Sequence, residues 1–164
     1  MRKLFLAGAI LALASIACGN STVVQNTDAS PTTATLPSQI LGLRVQPENV
    51  SAQLKGVRRP YIDAVAVYSL RDGDLLKASL QISHFNSAAR PNDPDFIGSI
   101  TSTIGGSAQA PYQVGAQTVY ATTASDQVIF TWFRGRQMYV LAVQKNFPFP
   151  RTLLRRLVTN DLAS

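Results

Sequence analysis

Residues 127–145 read Gln127-Val128-Ile129-Phe130-Thr131-Trp132-Phe133-Arg134-Gly135-Arg136-Gln137-Met138-Tyr139-Val140-Leu141-Ala142-Val143-Gln144-Lys145, and this stretch decides the fold. Two runs rich in β-branched and aromatic residues flank a glycine, the pattern of a β-hairpin. Strands are expected over 127–133 and 136–145, turning at Gly135 with Phe133 opposite Arg136. Side chains alternate between the two faces of a strand. One face then gathers Val128, Phe130, Trp132, Tyr139, Leu141 and Val143; the other gathers Ile129, Phe133, Met138, Val140 and Ala142. Strands apolar on both sides lie at the centre of a sheet or are covered twice.

Upstream, residues 112–123 read as a further strand, broken near Gly115. Asp93-Pro94 opens a helix, with Asp as cap and Pro at the first position. Phe96, Ile97, Ile100 and Ile104 recur at helical spacing, and Gly105-Gly106 ends the run. Before it, residues 61–70 and 75–85 flank Arg71-Asp72-Gly73-Asp74, and an Asp-Gly pair between apolar runs predicts a hairpin. A loop at Asp72-Gly73 places Arg71 opposite Asp74. Val65, Val67, Leu76, Ala78, Leu80 and Ile82 then share one face, and Ala64, Ala66 and Tyr68 share the other with Lys77, Ser79 and Gln81. Leu41, Leu43 and Val45 suggest a short first strand, and Pro47-Glu48 opens a helix through Ala52 and Leu54 to Gly56. After Pro148 and Pro150, residues 151–162 form an amphipathic helix. Its stripe is Leu153, Leu154, Leu157, Val158 and Leu162, with Arg151, Arg155 and Arg156 off it. Hairpins dominate and βαβ alternation is missing. The expected class is therefore α+β: a single domain with an antiparallel sheet of about five strands and two or three helices mainly on one face.

The first eighteen residues carry an address. Arg2 and Lys3 precede an uncharged run from Leu4 to Ala17, and small or polar residues follow Cys18. Fourteen helical residues reach about 21 Å, short of the roughly 30 Å of bilayer hydrocarbon. A basic start, a short apolar middle and a small-residue end make a secretory signal. Ser15-Ile16-Ala17-Cys18 resembles the lipobox of bacterial lipoproteins. That resemblance implies a diacylglyceryl thioether on Cys18 and cleavage in front of it, although Ser15 and Ile16 depart from the usual Leu and small residue. Ser15 and Ala17 also satisfy ordinary signal peptidase, so a plain secreted protein is the alternative. Cys18 is the sole cysteine of the 164 residues, so it makes no internal disulfide. Two acyl chains on it would anchor the protein stably, where one is marginal.

The domain plan follows: 1–17 signal peptide, 18–36 lipidated Cys plus a Ser/Thr/Pro-rich tether, and 37–164 the α+β domain. Some eighteen flexible residues reach roughly 25 Å. The chain has fifteen Lys and Arg against nine Asp and Glu; Arg2 and Lys3 leave with the leader, so the mature part carries +4. Such a surplus suits an anionic surface, and export argues against nucleic acid.

Catalytic chemistry is sparse. His84 is the only histidine, and its neighbour Ser83 points to the opposite face of the strand, so the two make no nucleophile–base pair. His84 reads as a rim-of-core residue beside Leu80 and Ile82. The mature chain lacks the ligands for structural zinc, and Asn92-Asp93-x-Asp95 is too sparse for a calcium loop. No catalytic residue, metal ligand or cofactor is expected. The candidate binding residues are basic and aromatic: Trp132, Arg134 and Arg136 at a hairpin tip, and Arg151, Arg155 and Arg156 on the last helix. They suit anionic lipid, a cell-wall polymer or an envelope protein. The expected function is a non-catalytic binding domain, held at the outer face of the cell membrane or another envelope membrane through lipid on Cys18. A carrier or sensor of a small apolar ligand is the alternative.

Overall fold

A computed structural model describes residues 36–48, 61–105, 111–124 and 126–159. The expected leader, Cys18 and the expected tether up to residue 35 lie outside these, as do the expected helix over 49–56 and Leu162.

The described residues hold eight strands and two helices. The strands are β1 (Gln39–Ile40), β2 (Leu43–Glu48), β3 (Ile62–Asp72) and β4 (Leu75–Phe85), then β5 (Tyr112–Val114), β6 (Gln117–Thr123), β7 (Gln127–Arg134) and β8 (Gln137–Gln144). Helix α1 (Pro94–Gly105) follows β4, and α2 (Pro150–Thr159) follows β8. All eight strands form one antiparallel sheet in the order β1-β2-β3-β4-β8-β7-β6-β5. The chain thus writes two four-strand meanders, each followed by a helix, and joins them edge to edge through β4 and β8.

This corrects the expectation of about five strands with helices mainly on one face. Two reversals account for the extra strands. Leu41 and Gly42 both take positive φ, 51° and 78°, the requirement of a two-residue type I′ turn. They split the opening segment into β1 and β2. Pro47 and Glu48 continue β2 opposite Tyr68 and Val67, and start no helix. Strand β1 pairs only as far as Arg44, so Pro47 lies where β2 is an edge, the place a strand tolerates a missing N–H. Gly115, at φ 61°, turns the chain between β5 and β6.

The helices lie on opposite faces. Tyr139, Leu141 and Val143 of β8 join a core with Leu153, Leu154, Leu157 and Val158 of α2. The alternate residues Met138, Val140 and Ala142 join a second core with Ile100 and Ile104 of α1. Successive side chains of a strand point apart, so the sheet separates the two cores. Helix α1 starts where expected, with the Asp93 carboxylate accepting from Asp95 N–H at 3.0 Å.

Of the two hairpins, the second turns at Gly135-Arg136, with Arg134 opposite Gln137, and its two faces hold the residue sets read from the sequence. The first does not. Asp72 faces Leu75 across Gly73-Asp74, and the register shifts between Arg71↔Leu76 and Leu70↔Ala78, leaving Lys77 as the extra residue of a bulge. Tyr68 and Leu70 consequently join Ala78, Leu80 and Ile82 on the α2 side. Val65 and Val67 pair with Ser83 and Gln81 on the α1 side. That side carries buried polar residues, Ser79, Gln81, Ser83 and Thr131, and Gln81 Nε2 donates to Ser83 Oγ at 3.0 Å.

Leu41 sits in the left-handed region that costs an ordinary side chain roughly 1–2 kcal/mol, and it is 41% exposed. Leu41→Asn relieves that conformation while giving up little burial. Urea titration should show it about 0.5–1 kcal/mol more stable than the parent.

Candidate functional site

The hairpin tip between β7 and β8 is built inward. Trp132 is 1% exposed and stacks on Tyr139, ring centroids 5.0 Å apart and planes 8° from parallel. It is a core residue and offers no surface, which removes it from the binding candidates. Arg134 ends β7 half-buried, and its Nη2 donates to the carbonyl of Val158 at 2.9 Å. The last carbonyls of a helix have no partner within it and carry its negative dipole end, so this guanidinium caps α2. Arg136 is exposed, yet its Nε donates to Phe85 O at 3.2 Å while Phe85 N–H donates to Arg136 O at 2.8 Å. These exchanges fasten the tip to the end of β4.

Beside the tip lies a short polar row. His84 on β4 is paired with Gln137 on β8, and Gln137 with Arg134 on β7. Gln137 Nε2 lies 3.3 Å and 3.5 Å from the two ring nitrogens of His84, and Gln137 Oε1 accepts from the Tyr139 hydroxyl. His84 is half-buried at the end of the α2-side core, on the same side of the sheet as Leu80 and Ile82. Ser83 is fully buried and faces the α1 side with Gln81, so the structure does not bring it to the imidazole. Among the described residues no three His, Cys, Asp or Glu gather closely enough to hold a metal ion.

Three tyrosines titrate abnormally. Burial lifts the Tyr139 hydroxyl above its ordinary 10.0, and the nearby Arg134 charge pulls it partly back. Burial does the same to Tyr112 against the charge of Arg151, and burial alone raises Tyr68.

The remaining basic candidates stand together. Arg151, Arg155 and Arg156 are all exposed on the side of α2 that faces away from the sheet, while Leu153, Leu154, Leu157 and Val158 are buried beneath them. Phe149, just before the helix, is 60% exposed and packs edge-on to the buried Phe147 at 6.3 Å. Its carbonyl accepts the first helical bond, from Leu153 N–H at 3.0 Å. Sequence reasoning passed over Phe149. The available signal was an aromatic between two prolines, one step outside the helical stripe. The structure therefore divides the six candidates: Trp132 is core, Arg134 and Arg136 are tied to backbone carbonyls, and three arginines of α2 face solvent.

No protein-family model matches this chain, and neither the curated proteins nor the solved structures contain a significant match to it.

Two measurements follow from this geometry. Arg134→Gln should lose about 1–2 kcal/mol of stability through the uncapped end of α2, whereas Arg136→Gln should stay within about 0.5 kcal/mol. A tyrosine pKa raised in the fold means the unfolded chain loses its proton first. The tyrosine contribution is thus intact below pH 10 and falls as pH rises through and beyond 10. Denaturation midpoints taken from pH 8 to 11 should decline at the alkaline end, and Tyr139→Phe should flatten part of that decline.

Proposed function

We propose that the protein is an exported, lipid-anchored binding domain of the cell envelope, with no chemistry of its own. The observation that carries this reading is the position of Cys18. The sole thiol of the chain stands directly after a fourteen-residue uncharged run that follows Arg2-Lys3. An unpaired cysteine in an exported protein needs a use, and acylation at the end of a leader supplies one. The lipobox-like Ser15-Ile16-Ala17-Cys18 supports the same use.

The domain beyond the tether supports binding over catalysis. Its one histidine contacts a glutamine amide, and the neighbouring serine is buried on the other face of the sheet. Large side chains fill the α2-side core, with Trp132, Tyr139, Leu80, Ile82 and Leu141 nearly or fully inaccessible. That filling favours a partner taken on the surface over an apolar ligand carried inside. The exposed surface of α2 is the face on offer.

Expression of the full chain in a bacterial host tests the reading. The parent protein should fractionate with membranes, and Cys18→Ser should move to the soluble fraction. The intact mass of the parent should show loss of residues 1–17 and gain of a diacylglyceryl group. A soluble parent that has lost residues 1–17 and keeps an unmodified Cys18 thiol would instead establish ordinary secretion.

A further inference from the structure

We infer that the outward face of α2 is a membrane-contact surface that takes the anionic phospholipid headgroups of the bilayer to which the protein is tethered. The inference rests on the tethered reading above and adds an orientation to it.

Three observations point the same way. First, the outward face consists of Arg151, Thr152, Arg155, Arg156 and Thr159, all exposed, with no carboxylate in the helix. None of the three arginines makes a salt bridge to a described carboxylate, whereas Arg71 on β3 pairs with Glu48 on β2 at 3.5 Å. Second, of the two helices only α2 offers cations. Helix α1 on the far face has Asp95 in its first turn, Asp93 capping it and no basic residue. On that side of the sheet Arg44 donates to Gly73 O, while Arg71 is engaged by Ser69, Asp74 O and Glu48. An anionic plane therefore draws α2 toward it more strongly than α1. Third, Leu36, where the described chain takes over from the tether, packs against the α2-side core. The chain that would carry the anchor thus enters the domain on the side of the sheet that α2 covers.

Phe149 gives the face an apolar point. At 60% exposure it stands at the amino-terminal end of the arginine-bearing helix. An aromatic beside exposed cations is the combination that seats a helix at the boundary between headgroups and acyl chains. The pairing separates a membrane from a soluble polyanion, which would use the arginines and ignore the phenyl ring.

The test uses chain 18–164 carrying Cys18→Ser, so that acylation plays no part. Sedimentation is measured with vesicles of phosphatidylcholine alone, or mixed in equal parts with phosphatidylglycerol. Binding should require phosphatidylglycerol and vanish near 1 M salt, where the screening length is about 3 Å. Each basic residue at an anionic surface strengthens partitioning by about fivefold, so R151Q/R155Q/R156Q should lose about 100-fold. R151K/R155K/R156K should retain most of the binding, because the surface reads point charges. Phe149→Ser should weaken vesicle binding about tenfold and leave retention by soluble polyphosphate unchanged. All four positions are exposed, so thermal melting of these variants should match the parent. The inference is overturned by equal binding of the Gln variant and the parent, by loss in the Lys variant as large as in the Gln variant, or by equal binding to neutral vesicles. It is also overturned if Phe149→Ser is silent on vesicles while polyphosphate binds as tightly as they do, which would identify a polyanion site. None of these outcomes bears on acylation at Cys18, and failure of the fractionation test would leave the vesicle result standing.

Discussion

The pairing of β4 with β8 is the constraint on which the rest of the sheet depends. Seven residue pairs, from Ala78 with Val143 to His84 with Gln137, join the two meanders into one sheet. At this seam both strands are covered twice: Leu80, Ile82, Tyr139 and Leu141 lie in the α2-side core, while Met138 and Val140 lie in the α1-side core. Burial on both faces favours apolar residues in succession, as β8 has from Met138 to Val143, whereas β4 meets the α1 side with buried Ser79, Gln81 and Ser83. Loop closure makes such a long-range pairing slow to form, so its two-sided burial must be strong enough to hold it.

The asymmetry between the two faces follows from that seam. The α2 side is apolar across the sheet, and α2 closes over it with four buried residues in a ten-residue helix. On the α1 side, β4 contributes Ser79, Gln81 and Ser83 beside the apolar residues of β8. The bond from Gln81 Nε2 to Ser83 Oγ offsets part of the cost of burying these two groups. One consequence is that the face presented outward by α2 can be devoted to charge. The helix is held from below by leucines and from its end by Arg134, so the outward arginines are free of structural duty.

How much of this was legible in the sequence depends on parity. In the second hairpin the expected turn lay one step earlier than the observed one. That moves every partner by two residues, and a shift of two leaves each side chain on its own face. That Trp132, Tyr139, Phe130 and Leu141 share one face was therefore readable, while their partners across the hairpin were not. In the first hairpin the bulge at Lys77 adds a single residue, and an odd shift exchanges the faces. No local pattern marks that bulge, because Leu76, Ala78 and Leu80 alternate as they would in an unbroken strand. The turn at Leu41-Gly42 was hidden for another reason: a leucine seldom occupies the left-handed region. As for the site, the α2 stripe fixed which arginines face outward. The carbonyl partners of Arg134 and Arg136 come from α2 and β4, distant in the chain, and spacing alone does not reveal them.

The sheet ends on one side in a two-residue strand and on the other in a three-residue strand. A long bare margin invites another copy to continue the hydrogen-bond ladder, and stubby margins give such a copy little to grip. Proteins confined to a surface meet each other far more often than proteins dispersed in volume, and in similar orientations. A molecule crowded in two dimensions would have particular use for borders that refuse to zip together. Were the protein held at a surface as proposed, outer strands this short would give neighbouring copies little ladder to extend.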